Sequence, residues 1–491
     1  MMLQKPADVF DRVTEWRALA TFATRPWSHA LLGVVSGRQR VGKTYLLRAL
    51  TEQCDGFYFG ATTATAGESL RQFGGALAEY TGAPAPFSFA TWDDAVTFLF
   101  GLADPARGDR PLVIVLDEFP YLAKVSPELP SLLQREIDRF QTRPSRMRLL
   151  LCGSAMSVMG GLLAGSAPLR GRAQLDLVMR PFDFRAAAQF WEVAEQPALA
   201  VRLGAVLGGT PAYRRQFLAD DVPGDLADFD DWVCRAVMSP LSPLFREARY
   251  LLAEETDIRD TSLYHSVLAA VAEGNSTRGG IAGYIGRKAV DISHPLNVLE
   301  DSHLLTREAD IFRPGKSRYG IAEPLITFYE AIMRPAWGRL ELGQAPQVWA
   351  ASSERFAAQV AGPYFETVCR AYLLGPGTDL VNSPLGQVGA GVVTDPSTRT
   401  SIEIDAAVVE PGNGRHRPRV ALLGEVKWGP TMGLPHLERL TRARDVLTTR
   451  GMDTDGCILA CFSAAGFTDH VKREADQRDD VRLLGLAELY T

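Results

Sequence analysis

The chain contains 491 residues, of which 46% are hydrophobic, and it carries a formal net charge of −6. This length predicts about three domains, and the mildly acidic balance excludes a protein coated in positive charge for tight, nonspecific binding to nucleic acid. No run approaches the roughly 20 apolar residues of a membrane-spanning helix, and the first residues lack the apolar core of a signal peptide. Because the six cysteines include no C-x-x-C pair, we expect reduced thiols and a cytoplasmic protein.

A phosphate-binding loop is predicted between residues 37 and 44. The apolar strand LLGVV (31–35) runs into G-x-x-x-x-G-K-T and then into a helix, which is the setting of such loops. Backbone N–H groups would point at phosphate oxygens, the lysine would reach the β- and γ-phosphates, and the threonine hydroxyl would hold Mg²⁺. The alternative is a glycine-rich turn with a chance lysine. The residues assigned to ATP and Mg²⁺ are Gly37, Arg38, Gln39, Arg40, Val41, Gly42, Lys43 and Thr44.

An acid pair follows the next strongly apolar strand, in RPLVIVLDEFPYL. A continuous apolar run of this kind is typical of a buried parallel strand. Asp117 at its end is expected to bind Mg²⁺, directly or through water, and Glu118 to polarise the attacking water. The alternative is an acid pair that is simply solvated at the end of a strand.

A third apolar strand, MRLLLCG (147–153), leads to Ser154. Ligands of α/β sheets gather at the carboxyl ends of strands, so Ser154 is a candidate for contact with the γ-phosphate. The other interpretation is a helix cap, provided by Ser154 or Ser157. Arg170 and Arg172 follow in a predicted loop. Arg172 is either an arginine finger offered to the nucleotide of a neighbouring subunit, in a homo-oligomer, or an exposed surface arginine.

These motifs resemble those of the archaeal-type ATPase family, a STAND- and AAA+-related branch of the P-loop ATPases. The resemblance is carried, in chain order, by VFDRVTEW, GRQRVGKT, LDEFPYL, CGSAMSVM, PLRGR and LGGTPAYRRQF. It covers residues 8–220 and implies ATP and Mg²⁺ as cofactors. It also implies that Pro211, in Gly-Gly-x-Pro, helps to sense the nucleotide where a helical lid begins. We therefore expect an ATPase core over residues 1–215 and a lid over residues 216–258.

The middle of the chain, residues 259–335, predicts a winged helix-turn-helix. Three short helical patterns are followed by an alternating pair of strands around Pro314-Gly315. Neighbouring acidic residues dilute its positive charge. The module is therefore either a DNA-binding element or a rigid coupling element. Its candidate phosphate contacts are Arg278, Arg287, Lys288, Arg313, Lys316 and Arg318.

Residues 353–491 predict a separate α/β domain. A helix interrupted near Gly362-Pro363 carries Glu366, and two strands, SIEIDAAVVE and VALLGEVKW, would form a hairpin centred near residue 415. This register places Asp405 opposite Glu425, with Lys427 on the same side as Glu425. Apposed carboxylates repel unless they share a cation, and Mg²⁺ suits such a pair. The alternative is a surface salt bridge on a strand.

The Asp…Glu-x-Lys pattern resembles the PD-(D/E)xK nuclease superfamily and the nuclease-like domain that is often fused to archaeal-type ATPases. The resemblance implies that Asp405 and Glu425 bind the metal, that Glu366 is the helix acid of the metal site and that Lys427 is the catalytic lysine. Ile404 stands where the pattern usually has proline. His436 is interpreted as a cap or surface residue. The fold expected for the whole chain is a multidomain α/β protein with a parallel-sheet P-loop ATPase, helical lid, winged helix-turn-helix and restriction-endonuclease-like domain.

Two functions follow from these patterns, and a third, plainer alternative is an ATPase whose C-terminal domain is purely structural. The first is an ATPase coupled to a Mg²⁺-dependent nuclease that acts on DNA. The second is a regulatory or signalling ATPase whose C-terminal domain binds DNA or a protein partner without cleavage.

Overall fold

A computed structural model describes residues 3–253, 261–381, 386–412 and 417–491. The described residues fall into two compact units, divided between Pro181 and Phe182. No helix in these ranges is long and apolar enough to cross a membrane.

The first unit is built on a parallel sheet of five strands in the order β2-β3-β4-β1-β5. Its strands are β1 (Leu31–Ser36), β2 (Phe57–Gly60), β3 (Leu112–Asp117), β4 (Met147–Gly153) and β5 (Ala173–Val178). Its helices are α1 (Val13–Thr24), α2 (Lys43–Gln53), α3 (Ala66–Thr81), α4 (Trp92–Gly101), α5 (Phe119–Val125), α6 (Leu129–Arg139) and α7 (Met156–Gly161), with a 3-10 turn at Pro105–Arg107.

The apolar runs of the sequence become the central strands of this sheet. Every residue of β1, β3 and β4 is buried, because two separate hydrophobic clusters cover the two faces. Adjacent positions face opposite sides: Val34 belongs to one cluster and Val35 to the other. Parallel strands covered on both faces are apolar throughout, and this is why the sequence predicts the three strands correctly.

The second unit begins with helices and continues into a small hairpin. Its first elements are α8 (Phe184–Phe190), α9 (Pro197–Leu207), a π-helical turn at Tyr213–Phe217, α10 (Phe229–Ala236), α11 (Leu244–Ala253), α12 (Thr261–Ala272), α13 (Arg278–Ile285), α14 (Ser293–Asp301), β6 (Leu305–Ala309) and β7 (Ser317–Ile321). Strands β6 and β7 are antiparallel. The three helices and the hairpin predicted in this region are therefore present as elements, while their assignment as a winged helix-turn-helix stays a prediction. Residues 254–260, which include the end of the predicted lid and the first residues of that module, lie outside the described ranges.

A helical segment leads to the C-terminal sheet. It contains α15 (Pro324–Phe328), a π turn (Tyr329–Met333), a 3-10 turn (Arg334–Ala336), α16 (Trp337–Glu341), α17 (Ala345–Ala350), α18 (Ser353–Arg355), a second π turn (Phe356–Ala361), α19 (Gly362–Leu374) and a 3-10 turn (Pro376–Leu380). The interruption predicted near Gly362-Pro363 is the second π turn, which runs directly into α19. Pro363 lies in the first turn of α19, and because proline has no N–H to donate, the α-helical hydrogen-bond pattern is interrupted here.

The C-terminal sheet is mixed, with the strand order β12-β11-β10-β9-β8. Strands β8, β9 and β10 are antiparallel neighbours, and β10, β11 and β12 are parallel ones. The elements are β8 (Gln387–Asp395), β9 (Thr400–Glu410), β10 (Arg419–Lys427), α20 (Leu434–Thr449), β11 (Ile458–Ser463), α21 (Asp469–Asp476), β12 (Val481–Leu484) and α22 (Leu486–Tyr490). The predicted hairpin centre near residue 415 lies outside the described residues.

Helices α19 and α20 cover opposite faces of this sheet. Leu422 packs in the cluster that contains Phe365 of α19, whereas the next residue, Leu423, packs in the cluster that contains Leu440 of α20. By the alternation of a strand, Glu425 and Lys427 lie on the same face as Leu423. Their side chains therefore point to the α20 side of the sheet.

Candidate functional site

The loop between β1 and α2 forms a tight cradle around the amine of Lys43. Its Nζ donates hydrogen bonds to the carbonyl oxygens of Gly37 (2.6 Å) and Arg38 (2.8 Å), and the lysine is 5% exposed. Gly37 has a φ of 148°, and a Cβ there would lie 2.4 Å from the carbonyl oxygen of Met179, so only glycine fits. The cradle places the amine and the N-terminus of α2 together, which is the arrangement that binds phosphate.

Asp117 is held at the end of β3 by donors from three directions. Thr44 Oγ1 and the Tyr58 hydroxyl each donate to its Oδ2 at 2.6 Å, and the Glu118 N–H donates to its Oδ1 at 2.9 Å. Burial raises the pKa of Asp117, but the hydrogen bonds from Cys152, Thr44 and Tyr58 outweigh it, so the pKa lies below its usual value. The carboxylate is therefore ionised. Because Thr44 gives its proton to Asp117, the lone pairs of its oxygen are left for a cation, and this pair fits Mg²⁺ beside the phosphate cradle.

Glu118 begins the turn into α5 with a left-handed backbone, at a φ of 52°. Its carboxylate accepts a hydrogen bond of 3.0 Å from Ser154 Oγ, at the end of β4. Burial raises the pKa of Glu118, while Lys43 opposes that rise. A carboxylate with a raised pKa is a stronger base, as expected of a group that polarises water.

Ser154 therefore lies among the predicted nucleotide residues rather than at a helix start. The N-cap residue of α7 is Ala155, without a side-chain hydrogen bond. The helix-cap interpretation is wrong for both serines, because Ser154 donates its hydroxyl to the Glu118 carboxylate and Ser157 lies inside α7.

Arg172 is tied to its own domain. Its guanidinium makes a bidentate pair with Asp138 of α6, with distances of 2.6 and 2.7 Å, and also donates to the Pro168 carbonyl. Its side chain is 25% exposed. Action as a finger would require this pair to open, and the finger role stays a prediction.

Pro211 belongs to the second unit, in the segment that follows α9. Gly209, two residues before it, allows two backbone segments to pack closely, because a Cβ at Gly209 would lie 2.0 Å from the carbonyl oxygen of Phe182. The Phe182 N–H donates to the Gly209 carbonyl at 2.9 Å. The structure thus explains the second glycine of Gly-Gly-x-Pro by close backbone packing, and the nucleotide-sensing role of Pro211 stays a prediction.

The C-terminal sheet brings together the acid pair and the lysine predicted from the sequence. Leu423 pairs with Ala407 and Gly424 with Ala406, so Asp405 comes next opposite Glu425. Lys427 Nζ lies 2.7 Å from Glu425 Oε1 and 3.4 Å from Asp405 Oδ2. The Val426 N–H also donates to Asp405 Oδ2, at 2.9 Å. The lysine bridges the two carboxylates, as the spacing predicts.

Arg439 is a fourth member of this cluster, and the sequence analysis missed it. It projects from α20 and makes an ion pair with Glu425 Oε1. It is fourteen residues from Glu425, and only the packing of α20 on the sheet joins them. The sequence signal that could have indicated it is a basic residue in the second turn of the helix that follows E-x-K.

The cluster has the donor atoms that Mg²⁺ prefers. Glu425 is fully buried, and within the described residues its Oε2 has no hydrogen-bond partner. A buried carboxylate oxygen without a partner is costly, and a cation would satisfy it. Across the described ranges, no three His, Cys, Asp or Glu side chains are grouped as a metal site, so such an ion would complete its shell with water or phosphate.

Glu366 lies in α19, 3.6 Å from Arg370. Arg370 also donates to the backbone carbonyl of Asp405, at 3.0 Å. Burial, followed by the charge of Asp405, raises the pKa of Glu366 to about 7. Burial likewise raises the pKa of Asp405, with Lys427 opposing it. The charge of Asp405 thus acts on Glu366, and the role of Glu366 as the helix acid of the metal site stays a prediction.

This raised pKa predicts a pH-dependent stability. In the folded protein Glu366 keeps a proton that the unfolded chain releases between the usual carboxyl range and about pH 7, so stability falls as pH rises through that window. Glu366→Gln should therefore raise the melting temperature in EDTA more at pH 8 than at pH 4.5. The exposed Glu354→Gln should show no such difference. An equal shift of Glu366→Gln at both pH values would contradict the prediction.

Some basic residues of the predicted winged helix-turn-helix form ion pairs, and the others are exposed. Arg313 pairs with Asp310 at 2.7 Å, and Arg318 pairs with Glu403 of β9. The hairpin tip also contacts β8, since the Ile311 N–H donates to the Ala390 carbonyl at 3.1 Å. The remaining basic candidates are exposed, namely Arg278, Arg287, Lys288 and Lys316.

His436 lies in the first turn of α20. It accepts a hydrogen bond from the Gly433 N–H at 3.2 Å, and its interpretation as a cap is confirmed.

The comparison with protein families decides the nature of the first unit. Residues 24–158 match the family described as AAA domain, and this range contains the phosphate cradle, the acid pair and Ser154. The first unit contains a P-loop ATPase domain. The prediction of such a domain is thus confirmed over these residues.

Further similarities extend beyond the ATPase domain. The chain is 28% identical over 317 residues to the uncharacterized protein MJECL04 of Methanocaldococcus jannaschii, and the alignment covers 63% of this chain and 66% of that protein. The Walker-type ATPase paby2304 of Pyrococcus abyssi is 18% identical with a TM-score of 0.49, covering 66% of this chain and 96% of that chain. The ORC2 protein of Aeropyrum pernix, in ADPNP–ADP complexes, is 15% identical with a TM-score of 0.42, covering 72% and 97%. With TM-scores below 0.5, these two likenesses add nothing to the assignment.

Proposed function

We propose that the protein is an ATPase coupled to a Mg²⁺-dependent nuclease that acts on DNA. The observation that carries the nuclease part is the buried carboxylate pair bridged by a lysine at 2.7 and 3.4 Å. An isolated surface salt bridge does not explain this arrangement, because Glu425 is fully buried with one oxygen lacking a hydrogen-bond partner among the described residues.

In this proposal the side chains have separate roles. Asp405 and Glu425 would hold Mg²⁺, which would supply a water of lowered pKa and stabilise negative charge on a phosphate. Lys427 orients that water or stabilises the charge that develops on the attacked phosphate. Its own pKa is lowered by burial but raised more strongly by Asp405 and Glu425, so it stays a cation. Arg439, whose side chain is 40% exposed, is placed to meet a phosphate at the edge of the cluster.

The proposal also includes ATP hydrolysis with Mg²⁺ held at Thr44 and Asp117, and a homo-oligomer in which Arg172 acts on a neighbouring nucleotide. All six cysteines are free thiols, which supports a reducing, cytoplasmic location.

A regulatory ATPase without cleavage is the second candidate. It is favoured by the two cations, Lys427 and Arg439, that already neutralise Glu425. Under this reading the C-terminal domain binds DNA or a protein partner, and the charge cluster only stabilises the sheet.

The nuclease prediction is tested with purified full-length protein and end-labelled DNA in Mg²⁺ or Mn²⁺, with and without ATP. Removing a preorganised charged group from the site is expected to lower the cleavage rate by about 10²–10³-fold. We therefore expect Asp405→Ala and Lys427→Ala to lose cleavage, while Lys472→Ala on the exposed face of α21 cuts like the wild type.

Two results would contradict the nuclease proposal. One is a wild-type protein that does not cut DNA under any of these conditions, and the other is an Asp405→Ala variant that cuts DNA as fast as the wild type. Electrophoretic mobility shifts on the same samples then test the second candidate, because DNA binding retained without cleavage supports it.

A further inference from the structure

A ring of four side chains joins the phosphate-loop helix to the acid at the end of β3. Thr44 and Arg48 lie one turn apart on α2. Thr44 contacts Asp117, Asp117 accepts from Tyr58, and the guanidinium of Arg48 stacks 4.4 Å above the centroid of the Tyr58 ring. Residues four apart share one face of a helix, so the ring closes on α2. Neither Tyr58 nor Arg48 belongs to a sequence motif of the site.

Strand register explains how Tyr58 reaches Asp117. Gly60 of β2 is directly paired with Asp117 of β3, and Tyr58, two residues earlier, points to the same face. Gly60 has no side chain to stand between them. A Cβ there would touch the Tyr58 ring at 3.4 Å, so the ring lies across the glycine and its hydroxyl arrives at the carboxylate.

The hydrogen bonds of Asp117 define what Tyr58 contributes. A carboxylate oxygen has two lone pairs, and those of Oδ2 are taken by Thr44 and Tyr58, each at 2.6 Å. Oδ1 accepts from the Glu118 N–H. Thr44 lies on α2, the helix that follows the phosphate loop, whereas Tyr58 lies on β2, the strand next to Asp117. Besides Cys152 of β4 and the Glu118 N–H, Tyr58 is thus a donor from a neighbouring strand, and it shares Oδ2 with Thr44.

We propose that Tyr58, supported by Arg48, is a positioning residue for the magnesium of the ATPase site. It holds the Asp117 carboxylate in the orientation in which Oδ2 accepts from Thr44, so that the lone pairs of the Thr44 oxygen would be available to Mg²⁺. Groups that orient metal ligands commonly contribute 10–100-fold to metal affinity or activity. This proposal depends on the ATPase domain and its Mg²⁺ site, and it is independent of the nuclease.

The test compares Tyr58→Phe with wild-type full-length protein. Binding of a fluorescent ATP analogue is measured in EDTA and in Mg²⁺, and ATPase activity is titrated with Mg²⁺. Phosphate contacts from the loop amides and Lys43 remain, so affinity in EDTA should stay within about twofold of the wild type. The gain in affinity caused by Mg²⁺ should fall about tenfold, and half-maximal activation should need about tenfold more Mg²⁺.

Two further variants make the result specific. Tyr80→Phe removes a hydroxyl that donates to the Asp55 carbonyl at 2.9 Å, elsewhere in the same unit, and should leave the Mg²⁺ response unchanged. Arg48→Met keeps the Tyr58 hydroxyl but removes the cation above its ring, and should weaken the Mg²⁺ response about two- to fivefold. It also keeps the test available if Tyr58→Phe does not fold.

A Tyr58→Phe protein with the wild-type Mg²⁺ response would overturn the proposal. So would equal losses in EDTA and in Mg²⁺, because they indicate a purely structural role. A wild type that binds no analogue in either condition would instead overturn the nucleotide site itself.

Discussion

Replacing Lys43 with alanine should abolish ATP hydrolysis and weaken ATP binding about 30-fold or more. The amine is enclosed by the carbonyls of Gly37 and Arg38, in the cradle where the phosphates bind. Loss of a buried, hydrogen-bonded charge partner costs about 2–5 kcal/mol, and each 1.4 kcal/mol is a factor of ten in affinity. Isothermal titration calorimetry with ATP and a phosphate-release assay measure the two effects.

Lys124→Ala is the matched control for this experiment. Lys124 is exposed on α5 in the same unit, so its loss should change neither binding nor turnover. Normal hydrolysis by Lys43→Ala would contradict the assignment of the phosphate loop.

Glu118→Gln should separate binding from chemistry. Glutamine keeps the size of the side chain but cannot accept a proton, so turnover should fall by about 10²–10⁴-fold, the usual contribution of a general base. Lys43, Thr44 and Asp117 are untouched, and ATP should remain bound. Rapid filtration with radiolabelled ATP should then recover intact ATP from the variant and mostly ADP from the wild type.

The exposed Glu128, at the start of α6, supplies the control substitution Glu128→Gln, which should hydrolyse ATP at the wild-type rate. Wild-type turnover by Glu118→Gln would show that another group polarises the attacking water. The raised pKa of Glu118, caused first by burial, further predicts that turnover rises with pH as the carboxyl loses its proton.

The residues that the sequence predicts for the ATPase site come together in the structure because that site is built from local rules. A phosphate loop is a continuous stretch whose glycines, lysine and threonine act at fixed spacing, and Asp117 follows a run that is apolar because both faces are buried. The hairpin of the C-terminal domain was predictable for a similar reason. Two alternating strands permit few registers that bury their apolar faces, so the approach of Asp405 to Glu425 followed from the pattern.

Strand β8 was not predicted, and its composition explains why. Its nine residues, QVGAGVVTD, include two glycines, and Gly391 is required because a Cβ there would lie 2.7 Å from Asp310 Oδ1. Gly391 is needed for close packing against the tip of the β6–β7 hairpin. Because glycine weakens the strand pattern of a sequence, this requirement hides β8 from prediction.

The sequence by itself thus determined the phosphate loop, the acid pair and the two facing strands, since each depends on spacing along a short segment. Only the tertiary structure decided which distant side chains complete the sites. Arg439 reaches Glu425 from a helix, Tyr58 reaches Asp117 from a neighbouring strand, and Arg172 is bound by Asp138 rather than left free. The physical reason is that hydrogen bonds and ion pairs depend on distance in space, and packing sets these distances between residues that no local pattern connects.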